Sequence, residues 1–349
     1  MVKSNLYQNN TVIINIHINI IYNIHFLFIG LLRTTKYMDK NIAVYHGLTL
    51  THYEMLGYIY DYMIYKQCNM QIFASAIEGS IGYYWKEYYN KVFNKDITWT
   101  EPEKINPYMF NIIILLTDDD MTFKDEWLRD IGLQKVICID HCGLVRRNNV
   151  MERICTRNFS YRNNSCLWAL PSYTGITKEE KLKLLNTNKK IVVTCIGIQN
   201  LPPTIEFLKS LFLNFNDIDF FIISRIVDNI IIDLNNIHYY INCPVNVMFD
   251  CIKKSNYILC IHRDSNPYPI ANSISAAIPL SFSYYCHLIL PEIWQEYYKF
   301  NTCISYKDNL RQKNGSTILK LSIDIPIDDI DNELKNIINH RNLTFDNFF

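Results

Sequence analysis

Several charged side chains come directly after predicted buried strands in the second half of the chain. Arg225 follows the apolar run 219–224, and His262 and Arg263 follow the run 257–261. A guanidinium group can hold a diphosphate through two parallel hydrogen bonds. Because parallel α/β sheets bind ligands at the carboxyl ends of their strands, these residues predict an anion-binding site at that edge.

A predicted helix start adds hydrogen-bond donors in the same region. The helix opens near Asn272, Ser273 and Ser275, where free backbone N–H groups and hydroxyls can receive a phosphate. A helix N-terminus contributes about 0.3 to 1 kcal/mol, whereas micromolar binding requires ~8 kcal/mol in total. Charged side chains such as Arg225 and Arg263 are expected to supply part of the difference. The alternative is that either arginine is an ordinary surface cation.

Glu292 follows Pro291 at the end of the last predicted strand. Its carboxylate can accept hydrogen bonds from ligand hydroxyl groups. Alternatively, it is only the first-turn acid of the helix at 293–300, where the helix dipole favours a negative charge.

The first half of the chain also places polar residues after a predicted strand. Gly47, Thr49 and His52 come after the run 41–46. They predict a second set of ligand contacts at the carboxyl edge of another sheet.

His141 directly follows the apolar run 134–140, which ends at Asp140. An imidazole exchanges protons near neutral pH or holds a hydroxyl, and Asp140 would either orient the ring or only terminate the strand. A loop cap is the alternative for His141. Zinc binding by Cys138, His141 and Cys142 is less favoured, because strand alternation points Cys138 into the core and no second ligand cluster completes the site.

Alternating strand and helix patterns must position these residues. In the first half, the predicted strands are 41–46, 71–75, 111–116 and 135–139, and the predicted helices are 48–65, 83–92 and 123–130. In the second half, the predicted strands are 190–196, 219–224, 237–241, 257–261 and 287–290, and the predicted helices are 203–213, 245–254 and 274–284, with Pro279 expected to kink or shorten the last. This alternation predicts parallel sheets with right-handed crossovers. The fold class is therefore α/β, with two Rossmann-like domains facing a central cleft.

The loss of periodicity from 144 to 172 indicates a joining segment between the domains. The predicted divisions are an N-terminal extension at 1–37, a first domain at 38–145, a linker at 146–188, a second domain at 189–310 and a tail at 311–349 with one helix near 330–340. The extension is expected to be poorly structured or anchor-like. Residues 11–32 have the length of a membrane span, but Ile14, Ile16 and Ile18 alternate with polar residues, so an anchor is the less favoured alternative.

Composition narrows the function classes. The 349 residues are 49% hydrophobic and carry 34 basic and 34 acidic side chains, so nonspecific binding to duplex nucleic acid is not expected. The 11 cysteines favour a reducing compartment and predict a cytoplasmic protein. The excess of Asn, Ile, Tyr and Lys is typical of A+T-rich genomes, including those of large DNA viruses, in which case the host cytoplasm or the virion is the expected location.

The order of elements over residues 249–294 resembles the donor half of GT-B glycosyltransferases. A helix, a strand, a polar loop, a small-residue helix and a strand ending in Pro-Glu follow one another, and the run SISAAIPLSFSYYCHLILPE at 273–292 is similar to the part that lies under the donor phosphates. The detailed likeness covers the last third of the chain, and the first half matches in architecture.

This resemblance implies a hexosyltransferase that takes a nucleotide-sugar as co-substrate and requires no metal or other cofactor. The first domain would bind the acceptor, which is a glycan, a protein or a small molecule, and the second would bind the donor. The implied catalytic residues are His141 and Asp140, the donor-binding residues are Arg225, His262, Arg263, Ser273, Ser275 and Glu292, and the acceptor-side residues are Gly47, Thr49 and His52. Membrane association is expected only through the N-terminal extension.

The sequence departs from the family pattern in two places. No glutamate pair, which is common in retaining members, lies between 266 and 277, and Ile198, Gln199 and Asn200 stand where an arginine and a lysine are usual. One alternative is therefore a catalytically degenerate GT-B-like fold that serves as a binding or virion structural protein. Another is a metal-dependent GT-A-type transferase that uses Asp118–Asp120, although three successive acids also suit a solvated turn.

Overall fold

The computed structural model describes residues 40–47, 52–117, 123–124, 126–127, 130, 136–140, 152–157, 167–197, 208–209, 211–213, 215, 217–224, 234–261, 275–306 and 321–348. Within these ranges, strands and helices alternate along the chain. No helix in them is both long enough and apolar enough to cross a membrane.

The first lobe is built on a six-stranded parallel sheet. Its strands are β1 (Asn41–His46), β2 (Asn69–Ala74), β3 (Trp99–Thr100), β4 (Ile112–Leu115), β5 (Val136–Asp140) and β6 (Glu152–Cys155), in the order β3-β2-β1-β4-β5-β6. All residues of β4 and β5 are buried, as expected for central parallel strands with both faces covered.

The second lobe repeats this architecture. Its strands are β7 (Ile191–Ile196), β8 (Ile218–Ser224), β9 (Ile237–Ile241), β10 (Tyr257–Leu259), β11 (His287–Pro291) and β12 (Cys303–Tyr306), in the order β12-β11-β10-β7-β8-β9. Both sheets therefore have the doubly wound order 3-2-1-4-5-6 when each is counted from its own first strand. The predicted fold class, with two separate Rossmann-like sheets, is confirmed.

Helices connect the strands and cover the sheets. They are α1 (Leu56–Tyr65), α2 (Ile81–Phe93), α3 (Lys178–Thr187), α4 (Val245–Lys254), α5 (Ala277–Ser283), α6 (Glu292–Tyr298) and α7 (Ile327–Asp346), with short 3₁₀ turns at Tyr53–Met55, Pro102–Lys104 and Pro107–Met109. Local sequence fixes several starts. Ser80 caps α2 by accepting from the N–H of Tyr83, and Thr177 and Glu180 form a reciprocal capping box at α3.

The structure differs from the predicted joining segment at 146–188, because that segment contains β6 and α3. β6 pairs with β5, so the first sheet extends past residue 145. Its sequence ERIC is short, charged at its start and lies at the sheet edge, so it lacks the apolar run that marks a buried strand. β12 likewise adds an edge strand that the sequence did not predict.

Pro279 shortens its helix rather than kinking it. α5 begins only at Ala277, which places Pro279 within the first turn. The missing N–H of proline costs little there, because the first N–H groups of a helix have no partner within the helix.

Aromatic side chains join the two lobes. Tyr88 of α2 stacks on Phe249 of α4 with ring centroids 3.8 Å apart and planes 9° apart, and Trp85 meets the same ring edge-on at 5.3 Å. The hydroxyl of Tyr284 contacts the hydroxyl of Tyr88 and lies 3.2 Å from that of Tyr173. We call these five residues the interlobe seam. They belong to one continuous buried cluster that includes residues of both lobes.

α7 contacts both lobes along its length. In its first half, the Glu333 carboxylate accepts from the backbone N–H groups of Asn301 (2.8 Å) and Thr302 (2.7 Å) in the second lobe. In its second half, Arg341 is 1% exposed and donates to the Asp61 carboxylate of α1 at 2.7 Å. The helix therefore fastens one lobe to the other.

Candidate active site

In each sheet the strand order reverses direction at one position. These positions lie between β1 and β4 in the first sheet and between β7 and β10 in the second. Doubly wound sheets bind ligands at the carboxyl edge next to such a reversal of strand order. His46 and Gly47 lie at the first position, and Gly197 and Cys260 lie at the second.

An acid–base pair lies just beyond β1, between Gly47 and α1. His52 Nδ1 is 3.5 Å from Glu54 Oε1, and the two side chains are 25% and 26% exposed. His52 has a φ of 69° and precedes the 3₁₀ turn Tyr53–Met55. A left-handed residue other than glycine at such a position is often held by its surroundings for a functional reason.

The environment keeps Glu54 ionised. Burial raises the pKa of Glu54, but the hydrogen bond from His52 and the charges of His52 and His46 outweigh it and leave the pKa below its ordinary value. The hydroxyl of Tyr89 donates to the carbonyl of Glu54 (3.2 Å) and to that of Tyr53 (2.8 Å), which fixes the backbone. A carboxylate held in this way can accept a proton from a substrate hydroxyl.

Three stacked aromatic rings lie next to this pair. His46 is 1% exposed and stacks on Tyr53 with centroids 4.3 Å apart, and Tyr53 stacks on Trp99 at 6.0 Å. Gly82 lets the start of α2 lie close to Tyr53 and Ser75, because a Cβ at this position would lie 1.9 Å from the carbonyl oxygen of Ser75. The same carbonyl accepts from the Tyr53 hydroxyl at 3.3 Å.

The second lobe presents two of the predicted donor-binding residues at its carboxyl edge. Ser275 Oγ accepts from the N–H of Ala277 at 3.3 Å, so this hydroxyl takes part in starting α5. Glu292 is exposed and is the first residue of α6, directly after β11. Gly197, with a φ of 69°, turns the chain at the end of β7.

Arg157 is a further charged residue that follows the carboxyl end of a strand. It lies two residues beyond β6 of the first lobe and is 2% exposed. Its guanidinium carbon is 5.1 Å from the ring centroid of Tyr298, 5.6 Å from that of Tyr297 and 6.0 Å from that of Trp294, all in α6 of the second lobe.

Only some of the predicted site residues lie in the described part of the chain. Gly47 and His52 both lie beyond β1, Ser275 and Glu292 lie on neighbouring connections of the second sheet, and Asp140 is the fully buried last residue of β5. Thr49, His141, Arg225, His262, Arg263 and Ser273 lie outside the described residues and stay predictions.

The metal alternatives are only partly covered by the described residues. Cys138 is 0% exposed in the core beneath β5, as its strand position predicts, whereas Cys142 and Asp118–Asp120 lie outside the described part of the chain. Among the described side chains, no three His, Cys, Asp or Glu residues are grouped in a way that could hold a metal ion.

Sequence reasoning missed Glu54 and Arg157. The motif His-Tyr-Glu shortly after the first strand, at a helix start, was the available signal for Glu54. Arg157 gave no local signal, because its aromatic partners are more than a hundred positions away in the sequence.

Comparisons with known proteins identify the fold. The sequence matches no protein-family model and no curated protein. The structure is similar to an α-glucosyltransferase solved in complex with UDP, with a TM-score of 0.50 and 10% identity, covering 89% of this chain and 95% of that one. A glycosyltransferase from Rickettsia africae ESF-5 (TM-score 0.48, 10% identity, 89% and 93% covered) and a spinosyn forosaminyltransferase (TM-score 0.41, 9% identity, 89% and 92% covered) are also similar. The chain has the two-lobed GT-B fold.

Proposed function

We propose that the protein is a glycosyltransferase that moves a sugar from a nucleotide-sugar to an acceptor hydroxyl without a required metal. This proposal rests on the Glu54–His52 pair, which lies at the carboxyl edge of the first Rossmann-like sheet. The second sheet has the same strand order. The shared fold with a UDP-bound glucosyltransferase supports the proposal.

In this proposal, the first lobe activates the acceptor. Glu54 takes the proton of the acceptor hydroxyl, and His52 orients the carboxylate. The acceptor oxygen forms a bond to the anomeric carbon, the bond from that carbon to the diphosphate oxygen breaks, and the diphosphate leaves with the electron pair. Gly47 and Thr49 line the acceptor side, and Asp140 anchors the start of the loop from which His141 faces the reacting sugar.

The second lobe holds the donor. Arg225 and Arg263 neutralise the diphosphate, and positive side chains can replace a metal ion in this role. The other proposed donor contacts are His262, Ser273, Ser275 and Glu292, the last binding a ribose or sugar hydroxyl. The acceptor is a glycan, a protein or a small molecule.

Thermal unfolding with UDP-, GDP- and ADP-sugars tests this function. A ligand that binds only the folded state stabilises it by about 2.7 kcal/mol at a concentration of 100 Kd, so the matching donor should raise the Tm clearly. The free sugar and the nucleoside serve as controls. Absence of a shift with every donor at millimolar concentration would refute the proposal.

A further inference from the structure

Arg157 is the buried end of an aromatic stack that continues through the second lobe. Its guanidinium faces Tyr298 at 5.1 Å, Tyr298 stacks on Phe300 at 5.1 Å, and Phe300 packs on Phe282 at 4.7 Å. Trp294 flanks the stack, 5.7 Å from Tyr298 and 3% exposed. A side chain of the first lobe thus contacts a continuous set of rings in the second lobe.

This stack connects the two elements that carry described donor-side residues. Phe282 belongs to α5, whose first backbone N–H donates to Ser275 Oγ, and Tyr298 belongs to α6, which begins with Glu292. Both helices start at the carboxyl edge of the second sheet. Phe282 and Tyr298 lie in the last turns of these seven-residue helices, so a shift of the stack would reach the helix starts through the helices themselves.

An arginine suits this position better than other residues. A buried cation is costly unless its surroundings compensate it, and a planar guanidinium stacks on several rings, whereas an ammonium presents a compact and strongly hydrated charge. The guanidinium of Arg157 lies over the rings of two successive residues of α6, Tyr297 and Tyr298. Its position two residues after β6 brings the carboxyl edge of the first sheet against that helix.

We propose that Arg157 is a positioning residue that sets the donor-binding edge of the second lobe against the first lobe. The proposal rests on the proposed glycosyltransferase function. In this role Arg157 acts through α6 and α5.

The test compares Arg157 with Arg341, the second buried arginine that links the lobes. Arg341 is 1% exposed and fastens α7 to α1 through the Tyr58 carbonyl and the Asp61 carboxylate, whereas the rings around Arg157 belong to α6. R157K, R157M and R341K are prepared in the full chain, and their dissociation constants are measured by calorimetry with the nucleotide-sugar that stabilises the wild-type protein most.

We expect R157M to weaken donor binding about tenfold and R157K by a smaller factor, while R341K lowers the Tm without changing the dissociation constant. Y297A removes one ring that is 40% exposed, so it should fold normally and weaken donor binding about twofold. In a transfer assay, the R157M substitution should raise KM for the donor and leave KM for the acceptor unchanged.

Wild-type donor affinity in R157M, or equal loss of affinity in R157M and R341K, would overturn the role of Arg157 and leave the proposed function intact. If R157M does not fold, wild-type affinity in Y297A and R157K together overturns it. A wild-type protein that binds no nucleotide-sugar would overturn the proposed function itself, and this role with it.

Discussion

At the scale of single residues, the chemistry proposed for the first lobe depends on the charge of Glu54. The neighbouring His52 and His46 lower its pKa, so the group is a carboxylate through the neutral range. A lowered pKa has two consequences. The base works down to acidic pH, and the folded state gains stability from ionisation of this group.

We expect E54Q to reduce kcat by about 10² to 10⁴-fold and to leave the donor dissociation constant unchanged, because the amide cannot accept the hydroxyl proton. The measurement is a transfer assay with the donor found by thermal unfolding, beside calorimetric donor binding. E78Q is the matched control, since Glu78 is an exposed carboxylate in the connection after β2.

The pH dependence of stability gives a second readout for the same variant. The unfolded state binds more protons than the folded state between the lowered pKa and the ordinary value, so wild-type stability falls as pH drops through this window. E54Q should lack that part of the slope in urea unfolding. Full transfer activity in E54Q would exclude Glu54 as the base.

At the scale of elements, local patterns predicted most of the fold. β1, β9 and α4 have the bounds that their apolar periodicity predicts, because each is flanked by residues that end the pattern. β6 could not be predicted in this way, because its sequence has no apolar run and the strand is stabilised by its backbone pairing with β5. Among the site residues, His52 was predicted from its place after a strand, whereas Arg157 depends on contacts between lobes.

A buried lysine fastens α3 to the rest of the second lobe. Lys181 is 0% exposed and donates to the carbonyls of Lys253 (3.0 Å) and Ser255 (2.5 Å), beside Cys286 Sγ at 3.2 Å. Burial lowers the pKa of Lys181, and Cys286 offsets part of this effect. The amine therefore supplies hydrogen bonds to two backbone carbonyls at the C-terminal end of α4.

We expect K181M to lower the free energy of unfolding at pH 7 by about 1 to 3 kcal/mol for each carbonyl left unpaired. The unfolded lysine has a pKa of about 10.4, so between the lowered pKa of the folded state and this value the unfolded state binds the extra proton, and the contribution of Lys181 to stability rises with pH. In urea unfolding, the change in stability from pH 7 to pH 10 should therefore be more positive in the wild-type protein than in K181M. K183M, on the exposed face of α3, is the control; if it loses as much stability as K181M, the buried contacts are not responsible.

At the scale of the whole molecule, one buried cluster contains residues of both lobes, beside a further cluster within each lobe. The interlobe seam, α7 and the Arg157 contact join them at three places. Phe249 is 0% exposed and lies at the centre of the seam, with Tyr88, Trp85 and Tyr284 around it. The relative position of the two carboxyl edges is therefore set by packing.

We expect F249A to lower the free energy of unfolding by about 3 to 5 kcal/mol, because the substitution leaves a cavity in a close-packed aromatic contact. Loss of the contact should also separate the unfolding of the lobes, so that calorimetry records two transitions where the wild-type protein shows one. L213A is the control, since Leu213 is 63% exposed. A single transition at the wild-type midpoint in F249A would show that the seam does not couple the lobes.

The place of α7 in the chain has a consequence for biosynthesis. Because α7 follows both described sheets along the sequence, a ribosome has already made the strands of each lobe before it makes Glu333 and Arg341. Domains fold largely in the order of their synthesis. Nascent chains therefore pass through a stage in which both lobes have formed but α7 does not yet connect them. During this stage, chaperones and proteases have access to surfaces that α7 covers in the folded protein.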